Sequence, residues 1–135
     1  MSVAATKSGA RQVLIDTSSW IHFLRRDGDA ATRHRVSIAL ESGVARWCAL
    51  VRLELWNGAL GDPEKRVLQE FERLVPELAV TDAVWDAAYA LARRCRSAGV
   101  TVPATDVLIA ACAAHHGAEL EHADADFQLI DIMLR

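Results

Sequence analysis

The sequence has few of the residues that mark disordered, secreted or disulfide-stabilised chains. Only three cysteines, three prolines and seven glycines occur among its 135 residues, so extended disorder is not expected. Cys48, Cys95 and Cys112 are an odd, widely spaced set without a CxxC pair. This cysteine usage favours reduced, buried thiols in a cytoplasmic protein.

Long apolar runs and zinc-ligand patterns are also missing. No segment is long and apolar enough to span a bilayer, and Lys7 interrupts the small residues where a secretory signal would be apolar. His115, His116 and His122 occur without an HExxH motif or a cysteine–histidine set of the usual spacing. We therefore expect no membrane-spanning segment, no cleaved leader and no zinc site.

Positive charge is not in excess either. The formal net charge is -3, so a general electrostatic attraction to nucleic acids is absent. Affinity for such a polyanion would have to come from local arginines, although charge runs on helices are more often solvated faces. The candidate groups are Arg25 with Arg26, Arg33 with Arg35, and Arg93, Arg94 and Arg96.

The chain does have enough apolar content for one proper core. A hydrophobic fraction of 52% over 135 residues fits a single globular domain. We assign residues 12–135 to that domain and residues 1–11 to a loose N-terminal tail.

Apolar periodicity predicts strands that alternate with helices. Residues 12–16 form a short apolar run that ends in Asp16, which is typical of a strand buried on both faces of a parallel sheet. Thr17, Ser18 and Ser19 are candidate caps for a helix beginning near Trp20. Further helices are expected over 29–42, over 50–60, from Pro63, from Thr81 to Gly99 and over 106–116. Further strands are expected over 44–49 and, one or two of them, within 118–135. A brief apolar run lies at 78–80.

This order of elements predicts a three-layer α/β/α sandwich with a central, mainly parallel sheet, since parallel neighbours require crossover connections. Ligands of such sheets bind beyond the carboxyl ends of the strands. Asp16 is expected at that end of the sheet.

Several acids stand in apolar surroundings, and carboxylates are rarely buried without a partner. Taken singly, each acid fits an ordinary role: a first-turn acid favoured by the helix dipole, a surface residue, or a polar turn. Taken together and in this order, they favour one shared site. The acids are Asp16, Glu54, Asp106, Asp124 and Asp126.

Converging carboxylates repel one another unless a divalent cation neutralises them. Ligands that are all oxygen select a hard ion, Mg²⁺ or Mn²⁺, and such a site can activate water to hydrolyse a phosphodiester. Ser18 and Thr105 are candidates to orient carboxylates or waters by hydrogen bonds without binding the metal themselves, although helix capping alone would explain both.

Four motifs in sequence order carry a specific resemblance. They are residues 14–18 (LIDTS), 53–55 (LEL) with Gly58 close behind, 103–111 (PATDVLIAA) and 124–127 (DADF). The first and third are fairly specific, the second is weak alone, and the ordered set is strong. The chain resembles the PIN-domain family in its VapC toxin branch over nearly all residues after position 11.

The resemblance implies a metal-dependent endoribonuclease, usually a homodimer, held inactive by a VapB-type antitoxin whose tail occupies the acidic pocket. Asp124 is preferred as a metal ligand to Asp126, which is expected mainly to fix the turn before Phe127. Residues 119–122 (ELEH) depart from the apolar strand that is usual in the family at this place. The acids that carry over as catalytic and metal-holding residues are Asp16, Glu54, Asp106 and Asp124, with Asp126 as a fifth candidate ligand.

Other classes fit less well. A haloacid-dehalogenase-type phosphotransferase would carry a second acid at position 18, where Ser18 stands, and a receiver module would need a late lysine, whereas none follows Lys65. A flap nuclease would need an arch or a DNA-binding insert that the sequence lacks. The alternative that stays open is a catalytically weak PIN-like protein-interaction subunit, because ligands alone do not establish turnover.

Overall fold

The computed structural model describes residues 11–134. These residues form three short strands and seven helices, with one or more helices after each strand. The elements are β1 (Val13–Ile15), α1 (Thr17–Leu24), α2 (Ala30–Glu41), β2 (Ala45–Arg46), α3 (Ala49–Gly58), α4 (Asp62–Leu74), α5 (Asp82–Ser97), α6 (Ala104–His115), β3 (Glu119–Glu121) and α7 (Asp126–Leu134).

The sheet is small and parallel, with strand order β2-β1-β3. Leu14 of β1 pairs with Arg46 of β2 on one side and with Leu120 of β3 on the other. An isolated parallel bridge between Trp47 and Glu77 continues the pairing beyond β2. The α/β fold with a central parallel sheet, predicted from the sequence, is confirmed.

A buried aromatic cluster lies at the centre of the core. Trp20 and Trp47 have rings 6.1 Å apart, and the ring of Phe71 lies 4.8 Å from that of Trp20. These contacts tie α1 and α4 to the end of β2, so the first half of the chain packs around one group of rings. Trp85 differs, because 42% of its surface is exposed on α5.

Glycines end three helices, as expected. Gly43, Gly99 and Gly117 follow α2, α5 and α6, and all three have positive φ angles, between 65° and 74°. This left-handed conformation is costly for residues with a Cβ atom, which explains why the helices stop where glycine occurs.

Two predicted helix starts are wrong by a few residues. Helix α1 begins at Thr17 rather than near Trp20, and Asp16 itself is the N-cap, since its side chain accepts a hydrogen bond from the Ser18 N–H. Helix α6 begins at Ala104 after Pro103, so Thr105 lies inside the first turn and does not cap the helix. In both places an earlier residue already satisfies the geometry of the helix start.

The C-terminal segment contains a helix where the sequence predicts only strands. After β3 the chain forms α7, which buries Phe127 and Ile130 three residues apart on one helix face. Strand β2 is also shorter than the predicted 44–49, because Ala49 is already the first residue of α3. Short apolar segments fit either period, so packing decided these elements.

Among residues 11–134, no helix combines the length and the apolar character needed to cross a membrane. The loose tail predicted for residues 1–11 falls, apart from Arg11, outside the described residues. The single-domain assignment of residues 12–135 stays a prediction.

Candidate metal centre

Two of the predicted acids follow strands of the parallel sheet. Asp16 follows β1 directly, and its backbone N–H donates to the carbonyl of Glu121, the last residue of β3, at 2.9 Å. Asp124 follows β3 after two residues. Because β1 and β3 are adjacent and parallel, both acids leave the same edge of the sheet.

Three carboxylates form a tight group at this edge. Asp106, Asp124 and Asp126 each offer an oxygen, and the three oxygens lie within 4.8 Å of one another. They come from the first turn of α6, the loop after β3 and the first residue of α7. Residues far apart in the sequence therefore present their charges to the same small volume.

Asp106 is the most perturbed member of the group. Its Oδ2 atom is buried and has no hydrogen-bond partner among the described residues. Burial, followed by the negative charges of Asp16 and Asp124 and then Asp126 and Glu54, raises the pKa of Asp106 to about 6. The other four predicted acids thus all act electrostatically on Asp106.

Asp16 is buried and held by the start of α1. Its Oδ2 accepts hydrogen bonds from the Ser18 N–H at 3.0 Å and the Ser18 hydroxyl at 2.6 Å. The same hydroxyl accepts from the Ala123 N–H at 3.1 Å. Ser18 thus contacts Asp16 and the loop that leads to Asp124, which are the contacts expected of a residue that orients the carboxylate.

Glu54 is half-buried on α3 and is held by a residue that the sequence does not reveal as part of the site. The hydroxyl of Thr17 donates to Glu54 Oε1 at 2.6 Å. The sequence predicts Thr17 only as a helix cap. The one signal that could have found it is its place beside Asp16, at the end of the sheet where ligands bind.

In the loop of Asp124 and Asp126, Asp124 fixes the turn, whereas the sequence predicts this role for Asp126. The carboxylate of Asp124 accepts the turn's hydrogen bond, from the Asp126 N–H at 2.9 Å, whereas Asp126 begins α7. Both carboxylates belong to the three-oxygen group. The choice of Asp124 as the main fourth ligand stays a prediction.

Thr105 is exposed in the first turn of α6, and within residues 11–134 its hydroxyl has no hydrogen-bond partner. Its predicted role in orienting carboxylates or waters stays a prediction. Among the described residues, no hydroxyl donates to Asp106, whereas Asp16 and Glu54 each accept from one.

The donor set fits a hard divalent ion. The three clustered ligand atoms are all carboxylate oxygens, with no histidine or cysteine in the group. Such oxygens suit Mg²⁺ or Mn²⁺. The buried, unpartnered Oδ2 of Asp106 is costly without a cation to accept its charge, so this atom argues most directly for a metal.

The polar strand β3 is explained by partners outside the metal group. Glu121 accepts hydrogen bonds from Arg35 Nε at 2.9 Å and from the Ser19 hydroxyl at 3.3 Å. Its side chain is only 14% exposed. Strand β3 can therefore be polar at the edge of the sheet and still keep the register that places Asp124.

Comparisons with known proteins agree with this architecture. A family model described as the PIN domain matches residues 13–133. The chain is similar to Ribonuclease VapC11 of Mycobacterium tuberculosis, with 39% identity over 121 residues, 87% of this chain and 90% of that relative.

Two solved structures share the fold. FitAcB from Neisseria gonorrhoeae is similar with a TM-score of 0.67 and 21% identity, over 89% of this chain and 94% of that one. VapBC-5 from Mycobacterium tuberculosis, a member of the VapBC family of toxin-antitoxin systems, is similar with a TM-score of 0.66 and 20% identity, over 90% and 91%.

Proposed function

Because the chain belongs to the PIN domain family, in its VapC branch, we propose that it is an endoribonuclease that requires Mg²⁺ or Mn²⁺ and is the toxin of a VapBC-type toxin-antitoxin system. The observation that carries this proposal is the group of three carboxylates around the buried, unpartnered Asp106 oxygen. The relative named a ribonuclease supports RNA as the substrate.

In this proposal the acids bind the ion, and Thr17 and Ser18 at the start of α1 orient two of these acids by hydrogen bonds. The ligands are Asp16, Glu54, Asp106 and Asp124, with Asp126 as the fifth. A divalent ion bound there would activate water as the nucleophile and neutralise charge that develops on the phosphate. The products are RNA fragments with 5′-phosphate and 3′-hydroxyl ends. Attack by the RNA 2′-hydroxyl would instead give cyclic phosphates and would need acid and base groups rather than clustered carboxylates.

Exposed arginines supply the local positive charge that an acidic chain needs to hold RNA. Arg93, Arg94 and Arg96 are all exposed on the last two turns of α5. Helix α5 packs against α6, whose first turn carries Asp106, and residues 98–103 connect the two helices. Phosphates held by these arginines would bring the chain of an RNA towards the acids.

An antitoxin of the VapB type is the proposed regulatory partner. A groove of about 320 Å³ runs beside Glu54, with Arg25 and Glu64 as its other charged residues. Its walls are largely apolar and suit the side chains of a bound peptide segment. The apolar lining residues are Ile21, Leu24, Leu55, Ala59, Leu60 and Leu68.

We also propose that the protein is a homodimer that acts in the cytoplasm. Trp85 and Tyr89 are 42% and 54% exposed, with rings 6.1 Å apart, and form an aromatic surface on α5 that a second copy would cover. Sedimentation of the wild type and a Tyr89→Glu variant tests the dimer: the variant should sediment as a monomer. The buried, unbridged cysteines are consistent with a reducing compartment.

The deciding experiment is cleavage of total cellular RNA by the purified protein in Mg²⁺, Mn²⁺ or EDTA, together with a folded Asp106→Asn variant. We expect cleavage that requires metal, disappears in the variant and leaves 5′-phosphate ends. Equal inactivity of both proteins under every metal would instead favour the protein-interaction subunit. Cyclic phosphate ends would contradict the hydrolytic mechanism.

A further inference from the structure

One hydrogen bond connects the first residue of α1 to the acid carried by α3. Thr17 Oγ1 donates to Glu54 Oε1 at 2.6 Å across 37 residues of sequence, in a partly buried position. Hydrogen bonds between a hydroxyl and a carboxylate at this distance belong to the strong, charge-assisted class. Within residues 11–134, the other oxygen, Oε2, has no hydrogen-bond partner, so it stays available to a ligand.

Helix capping does not account for the Thr17 hydroxyl. Asp16 is the N-cap of α1, and its carboxylate already accepts the Ser18 N–H. Thr17 therefore uses its hydroxyl for a residue on another helix rather than for its own. The consequence is a fixed orientation of Glu54 rather than a completed cap.

A glutamate needs such a restraint more than an aspartate does. Its side chain has one more rotatable bond, so ordering it costs more conformational entropy. In the described part of the chain, Asp16 accepts from two donors of Ser18, and Glu54 accepts from one, the Thr17 hydroxyl. Consecutive residues of one helical turn thus restrain two acids that come from different elements.

We propose that Thr17 is a positioning residue that holds Glu54 in the rotamer required for binding a divalent ion. The inference rests on the proposed metal site, and it assigns to Thr17 a role that acts through Glu54 alone. Groups that orient metal ligands from behind typically affect metal affinity by about 10- to 100-fold.

The test compares Thr17→Val, which keeps the shape but removes the donor, with Thr17→Ser, which keeps the donor. Thr32→Val is the matched control, because the Thr32 hydroxyl also donates to a carboxylate, that of Asp29 at 2.8 Å, outside the acid group. Mn²⁺ binding to each protein without RNA is measured by titration calorimetry or by the electron paramagnetic resonance signal of free Mn²⁺. Melting temperatures and the Mg²⁺ requirement of RNA cleavage are recorded in parallel.

We expect Thr17→Val to weaken Mn²⁺ binding about tenfold and to raise the Mg²⁺ concentration for half-maximal cleavage by a similar factor. Thr17→Ser should stay within about twofold of wild type in both measurements, since it keeps the hydrogen-bond donor. Thr32→Val should lower the melting temperature without changing Mn²⁺ affinity. In a Glu54→Gln background, Thr17→Val should have no further effect on Mn²⁺ binding.

The inference is overturned if Thr17→Val binds Mn²⁺ as tightly as wild type, or if it weakens binding equally with and without the Glu54→Gln change. Absence of Mn²⁺ binding by the wild type would overturn it too. If the wild type binds Mn²⁺ but cuts no RNA, the proposed nuclease function is rejected. The Mn²⁺ affinities of the Thr17 variants then decide the positioning role by themselves.

Discussion

The backbone N–H of Ala123 donates a hydrogen bond to the hydroxyl of Ser18 at 3.1 Å, across 105 residues of sequence. The same hydroxyl donates to Asp16 Oδ2. Ser18 therefore fixes the distance between the end of β1 and the loop before Asp124. This one side chain joins the first acid of the site to the last pair.

Replacing Ser18 by alanine should loosen both connections. Asp16 would keep only the Ser18 N–H, and the Ala123 N–H would lose its partner, so the free energy of unfolding should fall by about 1–2 kcal/mol. Denaturant titration measures this fall. Ser37→Ala is the matched control, because the Ser37 hydroxyl bonds Glu41 on the surface at 3.2 Å and its loss should cost less than about 0.5 kcal/mol. Equal losses in the two variants would refute the connecting role of Ser18.

The stability of the metal-free protein should depend on the charge of Asp106. Its pKa is about 6 in the folded protein against an ordinary value of 3.8, so the folded state binds the proton more tightly than the unfolded state does. Between these values, stability falls as the pH rises, and the Asp106→Asn variant lacks this loss.

In EDTA, Asp106→Asn should therefore gain stability relative to wild type as the pH rises from about 4 to about 6, and hold that gain above pH 6. The full shift corresponds to about 3 kcal/mol, which solvent screening at this partly exposed site reduces to roughly 1–2 kcal/mol. Urea denaturation across this pH range tests the prediction. A stability difference that does not change with pH would contradict the perturbed carboxyl.

Adding metal at neutral pH should make the wild type more stable than Asp106→Asn, the reverse of their order in EDTA. An ion that binds only the folded state stabilises it by about 2.7 kcal/mol at a hundred times its dissociation constant. Mn²⁺ should therefore raise the melting temperature of wild type and have little effect on Asp106→Asn. Asp86→Asn, which changes an exposed acid of α5, is the control and should respond as wild type does. Equal metal responses of all three proteins would place the ion elsewhere.

The ion pair of Arg35 and Glu121 should matter more than an ordinary surface pair. Glu121 is only 14% exposed, so Arg35→Met would leave a largely buried carboxylate without its cation and should cost about 1–2 kcal/mol of unfolding free energy. Arg73→Met is the comparison, because Arg73 and Glu70 are 72% and 51% exposed and their pair should contribute below about 1 kcal/mol. If Arg73→Met lowers the free energy of unfolding as much as Arg35→Met does, the burial of Glu121 is not the cause of the loss.

Local sequence predicts much of the fold and most of the site. It places Asp16 at the end of a buried strand, because a short, continuous apolar run is typical of a strand covered on both faces and Asp16 ends that run. Helix ends at Gly43, Gly99 and Gly117 are also predictable, since only glycine adopts their positive φ angles at low cost. The start of α1 and the existence of α7 are not, because short segments with mixed signals are decided by packing.

The sequence by itself determined the residue types of the candidate ligands, their order along the chain and the strand that leads to Asp16, since these depend on residue type and local periodicity. Only the tertiary structure decided which acids share a volume: Asp106, Asp124 and Asp126 form the close group. It also decided that Thr17 holds Glu54 and that Ser18 holds the loop of Ala123. Such contacts join residues 37 and 105 positions apart, and no local pattern encodes a hydrogen bond that depends on how distant helices and loops pack.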